Sequence, residues 1–155
     1  MNLTIRTAVE SDAEDVASMY EESCKYLRDL GDPGDFHFSA ESYRRDGFGS
    51  NPAFFGLIAA LEAETVGHLI YHFGYDVDLA RQTMHIVDLF VREKHRGHGA
   101  GRELMMHAQQ VCRDNNVGEM VWSVYKPNHL AHEFYSRIGA KYIDDLDYMH
   151  LEVGP

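Results

Sequence analysis

Asp88-Leu89-Phe90-Val91-Arg92-Glu93-Lys94-His95-Arg96-Gly97-His98-Gly99-Ala100-Gly101-Arg102 joins an apolar run to an amphipathic one through a loop rich in glycine. Upstream, Met84 to Val91 reads as a strand. Downstream, Leu104, Ala108, Val111 and Cys112 fall on one face of a helix. Between them, glycines let backbone approach a ligand closely, and a helix start carries a partial positive charge. Arg96 and Arg102 could add charge-assisted hydrogen bonds. The segment therefore suits an anion such as a pyrophosphate, although a glycine-rich turn with no ligand would have the same spelling. A dinucleotide-binding loop would need a parallel βαβ unit and an acidic residue about 20 positions on, and a P-loop would need its Lys. Neither context is present.

Working outward, Ala53 to Leu61, Val66 to Phe73 and Met84 to Val91 are three apolar stretches. Glu62-Ala63-Glu64 links the first two and Asp76 to Gln82 turns into the third, which predicts a meander of antiparallel strands. Leu3 and Ile5 alternate with polar residues as a half-buried strand does. Ser11 with Glu14 spells a capping box, and Ala13, Val16, Ala17, Tyr20, Cys24 and Leu27 recur at helical spacing until Gly31, Pro33 and Gly34. A short helix is expected from about Ser39 to Arg45, ending at Gly47 or Gly49. Past the loop helix, Val117 to Val124 reads as a strand and Asn128 to Arg137 as a helix stopped by Gly139. Lys141 to Val153 reads as a last strand region, with room for a break at Asp144 to Asp147. The order β, α, α, β, β, β, α, β, α, β predicts one α/β domain over residues 1–155.

Length and composition agree with one soluble domain: 155 residues can bury a core without staples. Net charge is −11 with His neutral, which disfavours a polyanion, so no nucleic-acid partner is expected. No apolar run of about 18 residues suggests a membrane span, and Met1 to Arg6 lacks the makings of a secretory signal, so the expected place is the cytoplasm. Cys24 and Cys112 read as reduced packing residues. Ten histidines include the pairs His95/His98 and His129/His132, but neither has further ligands at a recognised spacing, so no metal is expected. No Gly-x-Ser-x-Gly elbow is present.

Three pieces together, Asp88-Leu89-Phe90-Val91, the Arg96 to Gly101 loop, and Asn128 with Ala131, Phe134, Tyr135 and Gly139, resemble the GNAT superfamily of N-acetyltransferases over essentially the whole chain. Asp46-Gly47-Phe48-Gly49 with Pro52, and Tyr75-Asp76, are similar to its diamine (spermidine/spermine) acetyltransferase branch. The resemblance implies a mixed, mostly antiparallel central sheet of six to seven strands, splayed after the fourth and flanked by about four helices. It implies acetyl-CoA as acyl donor. Backbone at Leu89, Phe90 and Val91 would pair with the pantetheine, Arg96, Gly97, His98, Gly99, Ala100, Gly101 and Arg102 would hold the pyrophosphate, and Asn128 and Ala131 would line the pantetheine arm. The branch it resembles also implies a homodimer.

An aliphatic amine, with a pKa of about 10.4, arrives as an ammonium and must lose a proton before it attacks. Asp88, a carboxylate in an apolar strand, either takes that proton, directly or through water, or hydrogen-bonds backbone at the sheet opening. Tyr135, about two helical turns from Asn128, is implied as the acid that protonates the departing thiolate; a core tyrosine with a satisfied hydroxyl would look the same. Tyr26, Asp88, Trp122 and Asp147 are the candidates on the acceptor side. Where the polyamine enzymes carry acidic residues, this chain has Val87 and Leu27. Asp29, Asp32, Asp35 and Asp145 could stand in for them. The expected acceptor is a small cationic primary amine, lysine-like or polyamine, with the shorter, lysine-like one ahead of spermine. A non-catalytic acyl-CoA-binding module on the same fold is the alternative.

Overall fold

Alternation of apolar and polar residues, and its change to helical spacing, sets out most of the elements seen in the computed structural model, which describes residues Asn2 to Gly154. The chain divides into two compact units, one ending at Ser123 and one beginning at Val124. The first unit holds β1 (Leu3–Thr7), α1 (Ala13–Asp29), α2 (Ala40–Gly47), β2 (Phe55–Leu61), β3 (Glu64–Asp76), β4 (Arg81–Val91), α3 (Ala100–Asp114) and β5 (Val117–Val121). The strands lie in sequence order in one sheet. β1 to β4 are antiparallel, with Leu61 paired to Glu64 across a two-residue turn in which Glu62 takes φ 56°. β5 runs parallel to β4, because α3 carries the chain back across the sheet.

Alternate residues of each strand face opposite sides. One face, with Ile58, Ile70 and Phe90, packs on Val16 and Met19 of α1 and Tyr43 of α2, with Phe38, Phe48 and Phe54 completing the cluster. The other face meets α3. Cys112 Sγ lies 3.7 Å from Met84 Sδ, and a Cβ on Gly67 would lie 3.4 Å from Leu104.

The helix ends show which local signals the chain uses. Ser39 opens α2 as expected: its Oγ accepts from Ser42 N–H at 3.2 Å, and Ser42 Oγ accepts from Ser39 N–H at 2.7 Å. Gly31, at φ 93°, closes α1, with its N–H on Arg28 O and Asp32 N–H on Leu27 O. The start of α1 differs from the expected Ser11–Glu14 box. Asp12 organises it instead, accepting Val9 N–H at 2.8 Å and both Arg6 amino groups, at 2.6 and 2.8 Å.

The second unit contains α4 (His129–Arg137), opened by Asn128, whose Oδ1 accepts Ala131 N–H at 3.2 Å, and followed by Gly139 at φ 88°. The strand expected over Lys141 to Val153 does not form: that segment has no strand, and Tyr148, Met149 and Val153 are 80%, 96% and 94% exposed. Among the described residues the sheet thus has five strands rather than six to seven. Apolar alternation fits a residue to a pleated surface but supplies no ladder partner, and a strand needs both. No helix among the described residues is long and apolar enough to cross a membrane.

Candidate active site

β3 and β4 pair Ile70 with Asp88 and then Tyr71 with Ile86, so Val87 is an extra residue bulged out of β4. The β4–β5 ladder stops short of this bulge, running only from Gln82↔Val117 to His85↔Val121. From Ile86 to Val91, β4 keeps β3 on one side and opens on the other. The expected splay is therefore present, and Leu89, Phe90 and Val91 lie along it.

Asp88 sits at the bulge with its side chain 27% exposed. Its Oδ2 is 2.6 Å from Nε2 of His68, a β3 residue 1% exposed. The charge of the same carboxylate reaches Tyr20 and Cys24 of α1. Burial, the hydrogen bond with Cys24 and the Asp88 charge push the Tyr20 hydroxyl up to about 12, so it stays a neutral phenol. Burial likewise raises the Cys24 thiol. His68 was not among the residues singled out from the sequence. Its signal was a lone basic residue in the apolar run Val66 to Tyr71, opposite the strand that carries Asp88.

At the end of β4 the loop turns on Gly97 (φ 78°) and Gly99 (φ 89°), both left-handed and both with open space where a Cβ would stand. The first closed hydrogen bond of α3 is Glu103 N–H to Gly99 O. Helix geometry leaves the amides of Ala100, Gly101 and Arg102 without intrahelical acceptors. A loop with open space at two glycines and amides at a helix start is chemically suited to an anion such as a pyrophosphate. Arg96 is placed differently from a simple phosphate ligand. Its Nε donates to Val91 O at 2.9 Å, and its guanidinium lies over the rings of Phe90 (5.4 Å) and Tyr26 (5.7 Å). The structure thus gathers Tyr26, Phe90, Val91 and Arg96, whereas Trp122 stands just past β5. His98 Nδ1 is 2.9 Å from Arg96 O.

In the second unit, Asn128, Ala131 and Tyr135 share α4. Tyr135 is half-buried, edge-on to Phe134 at 5.2 Å. Asn128 has its Oδ1 committed to the helix cap. His132 is anchored at both nitrogens: Nδ1 is 2.7 Å from Tyr142 Oη, and Nε2 lies 3.2 and 3.1 Å from the carbonyls of Tyr125 and Lys126. Asp147 is exposed. Among the described residues no three His, Cys, Asp or Glu side chains cluster as metal ligands would. An open cleft of about 1250 Å³ lies at the β2–β3 turn, away from Asp88, and its charges are largely paired, Arg92 with Glu22 and Lys94 with Glu64.

An opened sheet edge, a part-exposed carboxylate and a glycine-built helix start thus lie along one stretch of the chain, and comparisons with known proteins bear on which family it belongs to. The chain is 27% identical to a thialysine N-epsilon-acetyltransferase of Sus scrofa, over 96% of this chain and 90% of that one. It is 26% identical to the human spermidine/spermine N(1)-acetyltransferase-like protein 1, over 95% of this chain but 22% of that longer protein. Among solved structures, an integron cassette protein of V. cholerae superposes with a TM-score of 0.81 at 23% identity, over 99% of this chain and 94% of that one, and shares the fold. The model of the acetyltransferase (GNAT) family matches residues 15–140, most of the chain. By that match the chain belongs to the GNAT family of N-acetyltransferases.

Proposed function

We propose that the protein moves the acetyl group of acetyl-CoA to the primary amine of a small, lysine-like cation. The observation that carries this reading is Asp88, anchored at one oxygen and part-exposed at the mouth of the opened sheet, a few residues before the glycine loop. Acetyl-CoA, when bound, supplies an activated carbonyl and a thiolate leaving group. The chain's own residues do the rest. Amides from Gly97 to Arg102 hold the pyrophosphate, and the open edge at Leu89 to Val91 takes the pantetheine amides, with Asn128 and Ala131 also lining that arm. Asp88 accepts the ammonium proton, directly or through one water, and frees the nitrogen lone pair to attack. Tyr135 would give its hydroxyl proton to the sulfur as the thiolate departs, and the phenolate would recover a proton from the nitrogen, which sheds its second hydrogen as the amide forms, so that one proton in all leaves through Asp88.

Tyr26 and Trp122 serve as apolar wall for the acceptor, with Asp147 as a further carboxylate. What supports a short acceptor is the pair Val87 and Leu27, apolar where the diamine branch carries acids, together with relatives named for thialysine. As part of the same reading the chain forms a homodimer, and light scattering that finds a monomer at working concentration would count against this.

The test is thiol release from acetyl-CoA with matched amines, wild type beside Tyr135→Phe. Lysine-like amines should turn over faster than spermine, and Tyr135→Phe should lower kcat by about 10²-fold or more at unchanged acetyl-CoA affinity. Undiminished turnover removes Tyr135 from the chemistry, and a preference for spermine removes the short acceptor. Acetyl-CoA binding without thiol release for any amine would make the chain a non-catalytic acyl-CoA binder.

A further inference from the structure

Val66-Gly67-His68-Leu69-Ile70-Tyr71 is a fully buried run of the sheet, and His68 is its single basic side chain. Burying an imidazole is unfavourable unless its nitrogens are satisfied. Nε2 lies 2.6 Å from Asp88 Oδ2, while Nδ1 is buried without a hydrogen-bond partner among the described residues. The register explains how the pair meets. His68 stands opposite Phe90, and Ile70 opposite Asp88, so the two side chains are diagonal neighbours on one face. The Val87 bulge sets this phase, because a one-residue slip would send Asp88 to the other face.

We propose that His68 is a positioning residue for acetyl transfer. It donates Nε2–H to Asp88 Oδ2 and so fixes the carboxylate with Oδ1 as the oxygen that takes the acceptor's proton, which rests on the base role given to Asp88 above. Burial decides which member of the pair meets substrate. His68 is 1% exposed and Asp88 27%, so the carboxylate is presented and the imidazole stands behind it, the reverse of a pair in which an outward imidazole does the chemistry.

Hydrogen counting gives the tautomer. Among the described residues no acceptor stands at Nδ1 whereas a carboxylate stands at Nε2, so the contacts favour the tautomer with its hydrogen on Nε2. With no acceptor at Nδ1 among the described residues, the role given to His68 is to hold Asp88 and not to carry the proton away. In the step itself the ammonium N–H bond breaks, the Oδ1–H bond forms, the nitrogen keeps the electron pair, and Nε2–H stays where it was. The proton later leaves Oδ1 to water. Tyr20 and Cys24 of α1, both raised by burial and by the Asp88 charge, stay neutral and neither compete for the proton nor repel it.

A double-mutant cycle with lysine and acetyl-CoA tests this. His68→Phe should lower kcat by about tenfold or more, with KM for acetyl-CoA within about twofold, and His68→Gln, which keeps an N–H donor, should recover most of the loss. In the Asp88→Asn background, His68→Phe should cost nothing further. An equal loss in both backgrounds would mean packing alone and overturns the proposal, as does an unchanged kcat in His68→Phe while Asp88→Asn is slow. If instead Asp88→Asn turns over like wild type, the base assignment beneath it fails, and the positioning role with it. Should the Phe variant not fold, His68→Gln against His68→Met, similar in length with and without a donor, carries the same comparison.

Discussion

Asp12 and Asp88 are both carboxylates hydrogen-bonded to a nitrogenous side chain from β1 or β3, yet they are held in opposite ways. Asp12 is 6% exposed and clamped at both oxygens, by two Arg6 amino groups and Val9 N–H. Burial disfavours its charge, but Arg6 and Val9 outweigh burial and hold its carboxyl below the usual range. Asp88 is held at Oδ2 by the His68 ring, 2.6 Å away, and is 27% exposed. The difference separates scaffolding from chemistry. A carboxylate with both oxygens engaged by permanent donors joins two elements and has little use for a proton, whereas one with a single anchored oxygen and an exposed face can take a proton and return it.

The widest separation should come from Asp88→Asn, which keeps shape and removes the proposed proton acceptor. We expect kcat to fall by about 10²-fold or more while Tm stays within about 2 °C. A large Tm loss with activity intact would put Asp88 in the same class as Asp12.

The converse variant, Asp12→Ala, leaves Arg6 and Val9 N–H unmatched. It should cost about 2 kcal/mol, which is about 4–8 °C in Tm, with kcat unchanged. The same clamp gives a pH dependence. Because the folded-state value for Asp12 is depressed, its stabilisation is complete above the unfolded value of about 3.9 and is lost as pH falls through the lower, folded value. Acid unfolding of Asp12→Ala should lack that component, and superimposable acid limbs would show that the clamp contributes nothing.

Next in size is the loop that follows Asp88 in the chain. Gly99→Val points its side chain into open space, so the fold should persist while the acetyl-CoA dissociation constant rises more than about tenfold, partly through strain at φ 89°. Unchanged binding by calorimetry would remove the loop from the cofactor site. The smallest effect belongs to Val87→Glu. Val87 is exposed beside Asp88, and an added carboxylate there should move selectivity toward spermine by a few-fold, on the order of 1 kcal/mol or less. No shift in the amine panel would mean that the acceptor's far end lies elsewhere.

The β4–loop–α3 segment was legible in the sequence because each signal is local: a strand ends, glycines turn, and an amphipathic helix begins. The meander and the short helix from about Ser39 were legible for the same reason. The Ser11–Glu14 box misled because a capping box compares residues three apart, whereas Asp12 organises that start and the group that recruits it arrives from a strand, at Arg6. His68 was missed because its partner lies twenty residues away and the bulge at Val87 sets the pairing, a phase no local pattern encodes. The strand expected over Lys141 to Val153 failed from the other direction. Its β-favouring residues are real, but pairing is a property of two segments, and only one was read.

The early end of the β4–β5 ladder makes β4 two strands in one. As far as His85 it is interior, hydrogen-bonded on both sides; beyond the bulge, every second amide faces the opening instead of a neighbour. In hydrogen–deuterium exchange, slow amides should be continuous up to His85 and then alternate slow and fast from Val87 to Val91. The boundary between those two rhythms would mark the place where the sheet stops being architecture and becomes a receptor.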